Sequence, residues 1–262
     1  MLTPFTITIG MIAAIFLGIS KTGIPGMGMF ASLLMISAFQ GHEMFASGAV
    51  VPLLILGDIA AVYYYRRDRQ HGMIQRLYPP MAAGLLLGTV VICFVDNSQF
   101  KLGVGVLAIS ILVFEFLRKR MGWTAVAQTG LFRNSCGILT GLTTMLGNAA
   151  GVISAVYFAS QNLDKKRFMG TNAVFFLLVN SSKIPLLFLA TGIKGMLGFD
   201  PSDAQIMTST TFLLTLILAP GLILGALLGR KLYFLIPEKV FVPLILLLNL
   251  LTAIQILITA LL

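Results

Sequence analysis

Three charged side chains, Lys21, Asp58 and Lys183, lie inside long apolar stretches of this sequence. Charged groups are costly to bury in apolar surroundings, and inside membrane segments they mark functional sites by default. An ammonium group held there can bind an anion. A carboxylate held there can balance a lysine or carry a proton. These residue types therefore predict a site for a small anion, with Asp58 as the coupling or charge-balancing group.

Lys21 lies in the run GISKTGIPGMG, at residues 18–28. Glycine weakens a helix and proline removes a backbone donor, so the run predicts a break in a helix. Broken backbone at membrane depth is tolerated only where protein buries it or where it faces a water-filled cavity. A second run, GLTTMLGNAAG, occupies residues 141–151. Helix N-termini at such breaks carry unpaired N–H groups and a partial positive charge, which favour a bound anion.

The predicted anion site combines these features. Lys21 is its main charge partner, and Lys183 adds a second positive charge. The other predicted substrate-binding residues donate hydrogen bonds or let a ligand approach the backbone; they are Thr22, Gly23, Gly26, Gly28, Thr144, Gly147, Asn148, Gly151 and Asn180. No catalytic residue, metal ligand or cofactor is predicted.

The same residues also have a structural interpretation. Glycines allow close helix packing in membranes, and Gly147-x-x-x-Gly151 fits that pattern. Lys183 could extend its long side chain to a membrane interface. Asp58 could be a structural partner of the first break.

An enzyme is the rival functional class. Ser20–Lys21 and Ser182–Lys183 are adjacent serine–lysine pairs, a combination that some nucleophilic enzymes use. Neighbouring residues on a helix point about 100° apart, however, so neither pair forms a ready catalytic dyad. An intramembrane enzyme is therefore less favoured than a transporter, and an anion channel is the alternative mechanism.

The composition identifies a polytopic membrane protein. The chain has 262 residues, of which 58% are hydrophobic and 10% are charged, whereas soluble domains carry about 25% charged residues. The net charge of +9 does not indicate nucleic-acid binding, because the basic residues lie in short loops between apolar segments. Cys93 and Cys136 lie within apolar segments near opposite faces of the predicted topology, so no disulfide is expected.

The apolar segments divide the chain into two similar halves. We expect a first repeat at 1–117 with a broken hairpin at 5–39, an interfacial linker at 118–133, and a second repeat at 134–262 with a broken hairpin at 134–160. Each hairpin precedes three spanning helices of the length that a bilayer requires. These helices are expected at 46–65, 77–95, 102–117, 169–191, 206–228 and 241–261.

The two halves also align residue by residue. Ser20, Lys21 and Gly28 align with Thr143, Thr144 and Gly151 at one constant offset, and Asp58 aligns with Asn180 at nearly the same offset. The order and spacing of these matches indicate an internal repeat.

The basic residues predict the orientation. Of the 18 basic residues, 14 lie in four segments: four in 66–76, four in 118–133, three in 165–167 and three in 230–239. Cytoplasmic loops carry such an excess of Lys and Arg, so we expect all four segments in the cytoplasm and both termini outside. The second broken hairpin must then enter and return from the cytoplasm, and the first from outside. Inverted repeats with broken helices are a recurrent plan of secondary transporters.

The runs GISKTGIPGMG and LTTMLGNAAG, with the basic YYYRRD after Asp58, resemble the TauE/SafE family of membrane permeases, also called sulfite exporters. The resemblance covers nearly the whole chain, including the layout in two halves. It implies transport of small sulfur-containing anions or organosulfur compounds, such as sulfite, sulfoacetate or thiosulfate, and related organic acids. Thr144 stands where the first half has Lys21, so the site should be asymmetric in charge.

We therefore predict an all-α polytopic protein of the cytoplasmic (inner) membrane, built from two inverted-topology repeats. Its predicted function is alternating-access transport of a small anion, an oxyanion or sulfonate. Its predicted partners are this anionic substrate and the lipid bilayer, without nucleic acid. Proton coupling and a homo-oligomer are both compatible with this prediction.

Overall fold

The computed structural model describes residues 2–22, 27–65, 69–120, 129–161, 163, 165–235 and 238–261. Regular structure within these residues is entirely helical, which confirms the all-α prediction. The described helices are α1 (Pro4–Thr22), α2 (Met27–Ala38), α3 (Glu43–Tyr65), α4 (His71–Phe94), α5 (Asn97–Arg120), α6 (Gly130–Gly147), α7 (Gly151–Ala159), α8 (Lys165–Met196), α9 (Pro201–Ala204), α10 (Ser209–Leu235) and α11 (Glu238–Leu261). By length and composition, α1, α3, α4, α5, α8 and α10 can each cross a membrane, so the chain is a multi-pass membrane protein.

Most spanning helices are longer than their apolar segments. α8 has 32 residues, which at helical rise is about 48 Å and exceeds the hydrocarbon thickness of about 30 Å. Its first turn carries the basic residues of the predicted loop at 165–167, and Lys194 lies in its last turn. Polar flanking residues therefore continue the helix, although hydropathy places them outside the span.

Each predicted break lies between two described helices. α1 ends at Thr22 and α2 begins at Met27; Gly23 and Gly26 lie outside the described residues, as do residues 121–128 of the predicted linker. At the second break Asn148 has φ 54° and ψ 27°, a left-handed conformation that asparagine tolerates better than most residues. Its N–H group makes the last helical hydrogen bond, to the Thr144 carbonyl at 3.1 Å, and the N–H group of Ala149 then donates to the Thr143 carbonyl at 3.3 Å, which closes the end of α6.

Two close helix crossings, α1 with α10 and α4 with α6, depend on glycines. A Cβ atom on Gly18 of α1 would lie 2.1 Å from the Leu222 carbonyl oxygen of α10. A Cβ atom on Gly141 of α6 would lie 2.0 Å from the Met81 carbonyl oxygen of α4. Because both obstacles are backbone atoms, no side-chain movement could relieve either clash. The helices of each crossing therefore touch backbone to backbone.

The partner helices present glycines of their own at these crossings. A Cβ on Gly225 of α10 would lie 2.0 Å from the Ile15 carbonyl oxygen, and one on Gly84 of α4 would lie 2.1 Å from that of Ile138. Gly18 lies 123 residues before Gly141, the offset that aligns the two breaks, whereas Gly84 lies 141 residues before Gly225. Each half thus packs its broken helix against a helix of the other half. This match supports the predicted repeat, whose inverted arrangement stays a prediction.

The polar turns collect at two ends of the helices. Asn97 donates its backbone N–H to Asp203 Oδ1 at 2.8 Å and its side-chain amide to the Gly41 carbonyl at 3.2 Å. At the other end, the backbone N–H of Gln70 donates to Thr171 Oγ1 at 3.0 Å. The turns predicted to lie outside thus join at one end, which we call the acidic end. The basic segment at 66–76 meets the second turn of α8 at the other, which we call the basic end.

Candidate functional site

A cavity of about 100 Å³ lies between the two breaks, the second half of α3 and the first half of α8. A water molecule occupies about 30 Å³ in the liquid, so the cavity has room for roughly three waters or one small anion. The predicted site residues that line it are Lys21, Gly28, Asp58, Thr144, Asn148, Gly151 and Asn180. The structure therefore places parts of both breaks around one hollow.

Lys21 provides the positive charge of this cavity. Its Nζ donates to Asp58 Oδ1 at 2.5 Å and lies 5.1 Å from the centroid of the Phe176 ring. The stem of Lys21 lies against Gly57, where a Cβ would be 2.8 Å from Lys21 Cγ. The Lys21 side chain is 13% exposed and that of Asp58 is 1% exposed, so the ammonium is the accessible member of the pair.

Asp58 also binds its counterpart in the other half. Its Oδ2 accepts a hydrogen bond from Asn180 Nδ2 at 2.7 Å, so both carboxylate oxygens have a donor. The remaining amide oxygen of Asn180 is buried and has no hydrogen-bond partner among the described residues. Because buried polar groups are normally satisfied, this free acceptor in the wall of the cavity calls for a donor there. A bound water or the protonated group of a ligand would supply it.

Lys183 lies beside the cavity rather than in its wall. Its Nζ donates to the Thr144 carbonyl at 2.7 Å and to Asn148 Oδ1. These acceptors lie at the C-terminus of α6, where carbonyl groups lack helical partners and the helix dipole is negative. Asn148 in turn places its amide nitrogen 3.3 Å from Ser47 on α3. Lys183 therefore secures the second break and ties it to α3.

Two further buried lysines also bind the ends of helices. Lys194 donates to the Val95 carbonyl just after α4, and Lys101 donates to the Thr259 carbonyl near the end of α11 at 3.0 Å. Lys101 also lies 3.6 Å from the carboxylate of Glu43. Both lysines lie toward the acidic end, away from the cavity, so their charges stabilise helix ends there.

Two predicted site residues make other contacts. The Thr22 hydroxyl donates to the Ala226 carbonyl of α10 at 2.7 Å, within the crossing of α1 and α10. Gly147 faces α5, where its Cβ would meet Leu107 at 3.6 Å. In this structure both residues serve helix packing.

The cavity wall includes residues that the sequence analysis did not assign to the site. Ser20, Asn172 and Phe176 are among them, with an apolar wall that includes Met169 and Ala173. Asn172, Phe176 and Asn180 are spaced four residues apart on α8, so they share one helix face. That spacing of two amides around an aromatic residue was a usable signal in the sequence.

A family model described as sulfite exporter TauE/SafE matches residues 8–256 of the chain, which is nearly its whole length. No curated protein sequence and no solved structure gives a match.

Proposed function

The chain belongs to the sulfite exporter TauE/SafE family, and from this premise we propose that it carries a sulfur oxyanion or organosulfonate across the cytoplasmic membrane by alternating access. Membership makes it a membrane transporter of small anions and not an enzyme. Substrates of the sulfite, thiosulfate or sulfoacetate type suit the size and charge of the cavity. The substrate and the mechanism are the proposal.

One observation carries the proposal: the ammonium of Lys21 faces a cavity between two helix breaks. Charge-assisted hydrogen bonds to an anion are stronger than neutral ones, and in a low-dielectric site they gain further strength. Asn172 and Ser20 add polar groups to the same wall. The neighbouring ring of Phe176 and the apolar wall would accommodate a small organic part of the substrate.

Asp58 is a candidate for coupling anion binding to the uptake of a proton. It holds both Lys21 and Asn180, which are donors that an incoming anion needs. An anion must therefore compete with the Asp58 carboxylate, and a proton on Asp58 would weaken that competitor. Both lysines, Lys21 and Lys183, lie within electrostatic range of Asp58. With all three groups ionised the cluster carries one net positive charge, and a proton on Asp58 would raise this to two, which a divalent anion such as thiosulfate would balance.

The cavity extends toward the basic end. Its wall includes Phe168 and Met169 in the first turns of α8, beside the basic segment at 165–167. In the other direction, residues 43–53 of α3 are all buried. This arrangement supports a state open to one side only. A carrier needs such a state, whereas an open channel would require a continuous path.

The proposal is tested by replacing Lys21. We expect Lys21→Ala, reconstituted into proteoliposomes, to reduce saturable uptake of thiosulfate and sulfite by at least about tenfold. The reason is that a hydrogen bond to a charged group is worth about 1.5–3 kcal/mol. Lys231→Ala removes an exposed lysine of α10 that lies outside the cavity, and it should transport normally. Full transport by a correctly inserted Lys21→Ala protein would remove Lys21 from the site.

A further inference from the structure

A second recess, mainly apolar but with two arginines in its lining, lies between the N-terminal parts of α4 and α6. This groove has a volume of about 420 Å³ and shares no residue with the central cavity. Pro79, Pro80 and Ile138 form its apolar floor, and Arg76 and Arg133 stand at its rim. It opens at the basic end of the molecule, on the outer surface of the helices.

Neither arginine forms an ion pair with a carboxylate among the described residues. Arg76 is exposed and makes no hydrogen bond or ion pair with another residue that the structure describes. Arg133 donates its Nε to Asn134 Oδ1 at 3.2 Å, which is a neutral partner. The groove lining contains no carboxylate among the described residues. Guanidinium groups offer several donors in a fixed plane and match phosphate oxygens well, so the groove is suited to a phosphate group.

An exposed apolar stripe continues from the groove along α4. Ala83, Leu86, Leu87 and Val90 lie on the same outward face as Arg76, and Leu86 is 56% exposed. The rise from Arg76 to the end of the stripe at Val90 is about 21 Å. One leaflet is about 15 Å deep, half of the hydrocarbon thickness of about 30 Å, so the stripe is long enough for the acyl chains of one leaflet. A charged rim above an apolar stripe of this length is complementary to a phospholipid, with its phosphate at the rim and its acyl chains along the stripe.

We infer that this groove binds the phosphate of an anionic phospholipid, with the acyl chains along the stripe on α4. The site joins helices from both halves, because α4 belongs to the first and α6 to the second. A lipid held there would stabilise the crossing at Gly84 and Gly141. Since Asn148, which caps the end of α6, lies in the wall of the cavity, the lipid would also steady one side of the proposed transport site. The inference does not depend on which anion is transported.

The test compares lipid retention by native mass spectrometry of the purified full-length protein. Dioleoyl phosphatidylglycerol, dioleoyl phosphatidylethanolamine and inorganic phosphate are offered separately. We expect the wild type to retain phosphatidylglycerol, and Arg76→Gln with Arg133→Gln to weaken this retention by roughly 30-fold. Each basic residue near an anionic surface contributes roughly a fivefold change in affinity. Either single variant should give about the fivefold effect.

The matched control removes two charges from the same end of the molecule. Arg120→Gln with Lys231→Gln replaces exposed basic residues that do not line the groove, and it should retain the lipid like the wild type. The inference would be overturned if the groove variant retained the lipid as well as the wild type does, or if the control variant lost as much lipid as the groove variant. Displacement of the lipid by inorganic phosphate at similar concentrations would also overturn it, because the groove would then be a site for the free anion.

Discussion

At the scale of single residues, the lysines inside the helical core differ in the hydrogen-bond acceptor that holds the ammonium group. Lys183 and Lys194 donate to carbonyl groups at helix ends, where the peptide dipoles are uncompensated. Lys21 donates to a carboxylate whose second oxygen is held by Asn180. A carbonyl cannot leave its helix end cheaply, whereas a carboxylate can be protonated or displaced. This difference makes Lys21 the lysine best able to exchange its partner for a substrate.

Asp58→Asn tests this exchange. The substitution keeps the shape of the side chain but removes the negative charge that competes with a substrate for Lys21. We expect thiosulfate to bind at neutral pH at least about tenfold more tightly, since a hydrogen bond to a charged group is worth about 1.5–3 kcal/mol. We also expect the pH dependence of binding to flatten, because the competing group no longer titrates. Thermal shift of the purified protein with thiosulfate across a pH series measures both effects.

The control for this variant is Asp200→Asn, which removes an exposed carboxylate at the acidic end. It should leave affinity and pH profile unchanged. If the pH profile of Asp58→Asn matched that of the wild type, Asp58 would be a structural partner of Lys21 and nothing more.

Residue types and their order singled out some residues of the candidate site, but they did not predict the contacts of others. Lys21, Asp58 and Asn180 could be singled out because charged or amide groups within apolar segments are rare and costly. The role of Lys183 could not be predicted, because Thr144 and Asn148 are distant in sequence and meet it only after α6 and α8 pack. The same holds for Thr22, whose acceptor lies on α10. Sequence shows that a polar group must find a partner, but the fold decides which one.

At the scale of helices, the position of each element could be predicted but its length could not. Hydropathy detects the part of a helix that lies in hydrocarbon, so α8 was predicted as 169–191 and extends over Lys165–Met196. The breaks could be located because glycine, proline and asparagine weaken helices or adopt left-handed backbone. The pairing of α1 with α10 and of α4 with α6 was not visible, because glycine spacing alone does not name the opposite helix.

The glycines of the two crossings should be equally sensitive to substitution. Gly18→Ala and Gly141→Ala each place a methyl group about 2 Å from backbone of the opposing helix, so each should destabilise the protein by about 1–3 kcal/mol. Gly103→Ala on α5 is the control, because its added methyl meets nothing within 4 Å. Removing an exposed helical glycine there should be neutral or stabilising by about 0.5–1 kcal/mol. Melting temperatures in detergent compare the three variants.

If Gly18→Ala and Gly141→Ala had the same melting temperature as Gly103→Ala, the backbone contacts described at the crossings would be wrong. If only one of them were destabilised, the crossings would not be equivalent, and the support that they give to an internal repeat would be lost.

At the scale of the whole molecule, the packing of α1 on α10 and of α4 on α6 joins the two halves, and the cavity lies at their junction. Asp58 and Asn180 occupy aligned positions in the two halves and bond to each other there. The charges are not equivalent, because Lys21 aligns with Thr144 and Asp58 with Asn180. Under the proposed alternating access, such a junction would rock between two arrangements, and the ion pair of Lys21 and Asp58 would be the group on which a substrate or a proton acts.

The state seen here makes a directional prediction that separates a carrier from a channel. Met169 lines the cavity near the basic end, and α3 is buried between the cavity and the acidic end. We expect Met169→Cys, with Cys93 and Cys136 replaced by serine, to react with a membrane-impermeant maleimide only from the side of the basic end. Asp200→Cys at the acidic end, in the same background, should react only from the opposite side and so calibrates each membrane preparation.

Reaction of Met169→Cys from both sides would indicate a continuous path and therefore a channel. Protection of the cysteine by thiosulfate would place the substrate in the same cavity as Lys21.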